Sequence, residues 1–161
     1  MIYEFLESNG IEYQRIDHPP VFTCEEAKRL VPQLAGAETK NLFLRDGKGR
    51  QHFLVAVRPE KDVDLRALSI SLGTKGLGFA SPDRLQRYLG IEPGSVTLLA
   101  ALNDTTQAVE IIIDEDLWRE ESLLCHPLVN TSTLLLSKVA LISFLNLTRH
   151  APRVLVVPSK I

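Results

Sequence analysis

Apolar positions along this chain switch between a helical and an alternating period, and the switches mark out its elements. Ile2, Phe5 and Leu6 have helical spacing, and Gly10 is placed to cap that helix. Residues 11–16 read as a short strand, broken by Asp17-His18-Pro19-Pro20. Thr23 with Glu26 has the spacing of a capping box and predicts a helix that ends before Pro32. Leu42 and Leu44 alternate with Phe43, Asp46-Gly47-Lys48-Gly49 turns the chain, and an apolar run follows over 53–57, which predicts a hairpin. Residues 65–72 read as a helix stopped by Gly73, and Thr74 to Phe79 as a glycine-rich crossing. Ser81 and Pro82 open a further helix as N-cap and first helical residue, and Gly90 closes it.

In the second half Glu92-Pro93-Gly94-Ser95 is a turn, and residues 96–102 fit either a strand or a helix. The β-branched run 109–113 predicts a central strand, followed by a short polar helix within 114–121. Residues 123–125 and 131–136 read as strands, Ser137 caps a helix running to Leu147, and 154–157 is a last strand. Strands and helices are interleaved without strict alternation. The pattern predicts an α/β protein with a mixed sheet carrying helices, not a regular doubly wound fold.

The length of 161 residues fits one domain, residues 1–161, with a substantial core. No apolar run approaches the roughly 20 residues of a membrane span, and the N-terminus lacks a signal-peptide pattern, so the expectation is a cytoplasmic protein with no membrane partner. Cys24 and Cys125 are too few and too far apart for a disulfide framework. The net charge of −2 excludes a globally basic nucleic-acid binder. Its distribution is uneven: ten Lys/Arg face five Asp/Glu between Lys40 and Arg87, so a mildly basic middle could meet phosphates, although a solvated mixed surface is the ordinary reading of such a balance.

The histidines, His18, His52, His126 and His150, form no i, i+4 pair, and no CxxC occurs, which argues against zinc. The run Asp114-Glu115-Asp116 reads as a helix N-terminus or a solvated turn. Cys125-His126 invites a thiol-hydrolase reading, but neighbours in an extended segment point to opposite faces, and Cys125 reads better as a small buried hydrophobe. The glycines of Thr74 to Gly78 lack the spacing of a phosphate loop, so no nucleotide cofactor is expected. Four segments remain unusual. Lys40-Asn41 puts a charge and an amide at the head of a core strand. Gly94-Ser95 lies in a turn able to aim backbone N–H groups at an anion. Asn103-Asp104 ends an apolar run, and His126 to Thr131 leads into a strand. Each singly has a dull explanation as surface, turn or loop.

Together these segments resemble the YbaK/ProX family of aminoacyl-tRNA deacylases, free-standing relatives of the editing domain of bacterial prolyl-tRNA synthetases. The resemblance is carried by Thr39-Lys40-Asn41-Leu42-Phe43-Leu44-Arg45-Asp46, Val63-Asp64-Leu65, Leu77-Gly78-Phe79-Ala80-Ser81, Leu89 to Thr97, Leu102-Asn103-Asp104 and His126-Pro127-Leu128-Val129-Asn130-Thr131. Within the family the chain is most similar to the branch that removes alanine from proline tRNA in trans. The resemblance implies a single compact α/β domain with a mixed, mostly antiparallel sheet, no metal and no cofactor. Its partner would be the acceptor end of an aminoacyl-tRNA, with prolyl-tRNA synthetase as a transient second partner and no role for DNA. It places the family's essential lysine at Lys40, with Asn41, Gly94, Ser95 and His126 as the rest of the catalytic set. Thr97, Leu98, Leu99, Asn103, Asp104, Val129 and Asn130 are the expected substrate-binding residues, with Leu98, Leu99 and Val129 shaping an apolar wall. Three departures stand out: Leu98-Leu99-Ala100 where an aromatic is expected, Leu134 where a second threonine is expected after Thr133, and Arg149 where a glycine is expected before His150. Deacylases specific for serine, threonine or cysteine, and a non-hydrolytic binder of tRNA ends or of the synthetase, are the alternatives.

Overall fold

The computed structural model describes residues 1–20 and 36–160; the capping-box helix expected after Thr23 lies outside them. Helix α1 (Ile2–Ser8) ends as its sequence suggests. Gly10 takes a left-handed φ of 67°. Its N–H donates to the Glu7 carbonyl at 3.2 Å and that of Ile11 to the Leu6 carbonyl at 2.9 Å, which closes the helix in a Schellman turn. Leu6 and Ile11, apolar on either side of that turn, are both buried.

The strands fall into two sheets. β1 (Gln14–Asp17), β7 (Ser132–Ser137) and β6 (Ser122–Cys125) form an antiparallel three-stranded sheet with β7 in the middle. The second sheet has the order β4-β2-β3-β5-β8, built from β4 (Gly78–Phe79), β2 (Lys40–Arg45), β3 (His52–Val57), β5 (Val109–Asp114) and β8 (Arg153–Leu155). β2 pairs antiparallel with β3 and β4, whereas β3, β5 and β8 run parallel. The expected mixed, mostly antiparallel sheet is thus present, divided in two.

All six residues of β3 are buried, because it is paired on both edges and covered on both faces. Leu54 and Ala56 join the larger core cluster with β6, β7, α1 and helix α5 (Lys138–Leu147). Phe53, Val55 and Val57 face the smaller cluster under helix α2 (Leu65–Leu72). The stop predicted at Gly73 holds, since it is left-handed after α2, and the structure adds Asp64 as the N-cap, accepting from Ala67 N. Helix α3 (Pro82–Leu89) has Ser81 at its N-cap and left-handed Gly90 after it. The ambiguous stretch is a 3-10 helix, Leu98–Asn103. Among the described residues no helix is long and apolar enough to cross a membrane.

Candidate active site

Residues 36–39 join the two sheets. Ala37 N–H donates to the Ser122 carbonyl, Leu124 N–H returns to the Ala37 carbonyl, both at 2.9 Å, and Thr39 Oγ1 donates to the Leu124 carbonyl at 2.8 Å. The chain therefore runs alongside β6 before it becomes β2. This stitching brings Lys40-Asn41 and Cys125-His126 to one junction, although they are far apart in sequence. Strand alternation then sends the two side chains apart: Asn41 shares the face of Phe43 in the larger cluster, and Lys40 that of Leu44 in the smaller one.

Lys40 is half-buried, and its Nζ donates to the Lys61 carbonyl. That carbonyl is held rigidly. The Lys61 ammonium lies 2.6 Å from Asp114 Oδ2 and donates to the Val157 carbonyl at 2.9 Å. Asp114 is completely buried, and its Oδ1 accepts from Val157 N at 3.1 Å. Arg58, at the start of the same turn, pairs with Asp116 and Glu120 at 2.8 and 2.9 Å. The solvated reading of the acidic run is therefore corrected at its first residue. Glu115 and Asp116 begin the short helix α4 (Glu115–Trp118), while Asp114 is a core ion-pair partner because β5 carries it under the 58–61 turn. Sequence reasoning missed Lys61 and Asp114, since nothing local in either signals the other.

Asn41 Nδ2 reaches Thr39 Oγ1 at 3.5 Å, and its Oδ1 is buried without a hydrogen-bond partner among the described residues. A buried bare acceptor at a strand head suits a ligand that brings a donor. His126 is half-buried, with Nδ1 3.4 Å from the Ser132 carbonyl. The loop that returns it there passes through buried Pro127 and through Leu128, whose left-handed φ of 69° is strained for a leucine. Val129 at the loop tip is 47% exposed, and Asn130 is half-buried beside it. Behind His126 stands His18, a residue not singled out from the sequence. Its Nδ1 donates to the Pro19 carbonyl at 2.8 Å, so its Nε2 faces the Thr133 hydroxyl, also at 2.8 Å. Ser132 donates to Asp17 at 2.6 Å, and this bond, followed by Arg15, holds the Asp17 carboxyl below its usual range.

Burial, and then the nearby His18, push the His126 imidazole below its ordinary value, against the opposing pull of the Ser132 carbonyl. His126 is accordingly neutral near pH 7, as an orienting or accepting group must be. The lowered value also sets a sign for stability. The unfolded chain takes up this proton near pH 6.5, while the fold resists it until lower pH, so stability falls as pH drops through that window. His52, lowered first by burial and then by Arg84, adds in the same direction. Urea midpoints are therefore expected to decrease from pH 7.5 to 5.5, less so in His126→Gln; midpoints that rise on acidification would contradict this. Cys125 is buried and its thiol is pushed up to about 12 by that burial, so it offers no thiolate.

The remaining expected residues divide. Gly94 has φ 90°; the Ser95 N–H is already spent on the Glu92 carbonyl at 3.0 Å, whereas the Gly94 N–H has no backbone acceptor among the described residues. Thr97 is buried and caps the 3-10 helix by accepting from Leu99 N at 3.3 Å. Leu98 and Leu99 are packed wholly in the larger core cluster, because the 3-10 helix turns them inward. Asn103 and Asp104 are not brought to the junction. Asn103 ties the 3-10 helix to the end of α3 by donating to the Leu89 carbonyl at 2.8 Å. Asp104 accepts from Ala108 N, Val109 N and His150 Nε2 at 2.8–3.0 Å, at the beginning of β5. Asp114 and Lys61 are at its other end, roughly 17 Å away along the strand.

The two-sheet α/β fold has solved counterparts. It superposes with TM-score 0.76 on the crystal structure of hypothetical protein APE2540, at 17% identity over 97% of each chain. It matches a candidate trans-editing enzyme for prolyl tRNA synthetase with TM-score 0.72, at 18% identity over 99% of this chain and 95% of that one. These define the fold class. The model of the aminoacyl-tRNA editing domain matches residues 18–144. The chain is 41% identical over 132 residues to the prolyl-tRNA editing protein ProX of Acetoanaerobium sticklandii, covering 82% of this chain and 80% of that protein. It is 40% identical over 154 residues to prolyl-tRNA synthetase associated domain-containing protein 1 of Danio rerio, covering 94% and 83%. The chain belongs to the aminoacyl-tRNA editing domain family. It is an aminoacyl-tRNA deacylase, an ester hydrolase of mischarged tRNA.

Proposed function

We propose that this chain, as a single domain over residues 1–161, removes alanine from mischarged proline tRNA in trans, in the cytoplasm, visiting prolyl-tRNA synthetase only transiently. The 41% identity to a protein named for prolyl-tRNA editing carries this reading. The substrate is an activated ester on the terminal ribose, and its hydrolysis needs a water, a stabilised oxyanion and a held substrate. Lys40 supplies positive charge to the developing oxyanion or the terminal phosphate from a position defined by the Lys61 carbonyl. The Gly94 N–H is the backbone donor, and the bare Asn41 Oδ1 accepts from the substrate. Neutral His126 orients the attacking water, assisted by the ribose hydroxyl next to the ester.

The second sieve has a physical purpose. A synthetase that holds proline rejects the smaller alanine by only about 1–3 kcal/mol, so a separate site that admits alanine and excludes proline by overlap is useful. Val129 and Asn130 stay in the proposed wall. Thr97, Leu98 and Leu99 support it from the core, and Asn103 and Asp104 belong to the scaffold at the far end of β5.

The test is deacylation of alanyl-tRNA(Pro) against prolyl, seryl, threonyl and cysteinyl forms. Rapid loss of alanine alone is expected. Preference for another residue keeps the reaction and moves the specificity, and binding without turnover of any form would overturn the proposal in favour of a non-hydrolytic tRNA-end module.

A further inference from the structure

The end of the five-stranded sheet away from Lys40 gathers cations that the catalytic site does not use. Three segments meet there: the β2–β3 hairpin tip, the glycine-rich crossing and α3. Gly47 N–H donates to the Lys75 carbonyl at 2.8 Å. Arg84 Nη1 reaches the Gly49 carbonyl at 3.1 Å and His52 Nε2 at 3.0 Å. Arg87 lies over the Tyr88 ring, which packs 4.0 Å from His52. Beside them opens a groove of about 370 Å³ whose lining includes Arg50 and Arg149. Both arginines are exposed, and neither has a carboxylate within ion-pair distance among the described residues.

The local acids do not cancel this charge. Asp46 is turned to the amides of Arg50 and Gln51 at 2.7 and 3.1 Å. Asp104 is buried against His150. Glu110, on the groove wall, lies 3.6 Å from Arg153. The backbone adds an independent sign. Two of the three left-handed non-glycine residues among those described, Gln107 at φ 55° and Arg149 at φ 63°, line this groove. Glycine would suit the Arg149 position, so the chain tolerates strain to put a guanidinium there.

We propose that this hairpin end is a second tRNA contact, a basic surface that takes backbone phosphates of the acceptor stem, with Arg50 and Arg149 as its anchors. The inference rests on tRNA being the substrate. Lys40 and the hairpin tip are the two ends of one strand, roughly 17 Å apart. A tRNA whose 3′ end enters at Lys40 continues into a duplex, and its phosphates need cations at such a distance. A chain with net charge −2 must supply them locally.

The experiment measures binding of uncharged proline tRNA by anisotropy across a salt series, for wild type, Arg50→Gln, Arg149→Gly and the double variant. Thermal melts serve as the fold check, and Arg149→Gly suits its backbone. The magnitude of the log–log salt slope is expected to fall by about 0.9 for each residue removed. In parallel, kcat/KM on alanyl-tRNA(Pro) should fall severalfold, while hydrolysis of a 3′-alanyl CCA trinucleotide stays at the wild-type rate. Unchanged binding and slope would overturn the inference, as would equal losses on tRNA and trinucleotide, which would make the arginines merely structural. If wild type hydrolyses neither substrate, the functional reading fails, and the salt slope still decides this surface separately.

Discussion

Replacing Lys40 with alanine is expected to lower kcat by about 10²- to 10³-fold, the usual loss when a preorganised electrostatic contact to the transition state is removed. The fold should barely register the change. The side chain is half-buried and among the described residues makes one hydrogen bond, to the Lys61 carbonyl, worth about 1 kcal/mol, so the melting temperature should move by only about 2–4 °C. The kinetic split assigns the role. A fall in kcat places the ammonium on the developing oxyanion, whereas a raised KM with kcat intact places it on the bound phosphate. Lys40→Arg should recover little, because the larger planar guanidinium spreads its charge and cannot place it where the compact ammonium does. Turnover at the wild-type rate in Lys40→Ala would remove the residue from the mechanism.

The largest stability loss is expected on replacing Lys61 with methionine. Among the described residues this leaves the completely buried Asp114 carboxylate with Val157 N–H as its remaining partner. Breaking a buried pair from one side costs about 3–5 kcal/mol. Lys61 is 18% exposed, which favours the lower end, or a melting temperature reduced by roughly 10 °C. Adding Asp114→Leu to Lys61→Met should recover much of that loss, since the uncompensated charge is then gone. A single variant as stable as wild type would show that water already satisfies Asp114. Because the Lys61 carbonyl receives the Lys40 ammonium, the single variant should also lose activity well below its melting temperature.

Much of the local architecture was legible in the residues. The Lys40 hairpin, the caps at Ser81 and Ser137, and the left-handed stops at Gly73 and Gly90 all fall where composition and spacing put them. Such features depend on a few neighbouring residues, as backbone sterics and capping do. The stretch 96–102 was ambiguous for the same reason: an apolar run has no period of its own, and tertiary packing made it a 3-10 helix with Leu98 and Leu99 in the core. By composition alone those two leucines suit a pocket wall, because apolar character does not say which way a side chain turns.

The sequence by itself determined the elements, their caps, the family resemblance and the residues at the strand head. Only the tertiary structure decided which of them meet. Thr39 bound to the Leu124 carbonyl brings the start of β2 and the end of β6 to one junction, and the parallel pairing of β3 with β5 carries Asp114 under Lys61. The same pairing places Asp104 at the opposite end, where Arg149 borders a groove that no local pattern announced. Contacts between residues far apart in the chain depend on sheet order and register, and those are settled by how the whole core closes rather than by any local stretch of residues.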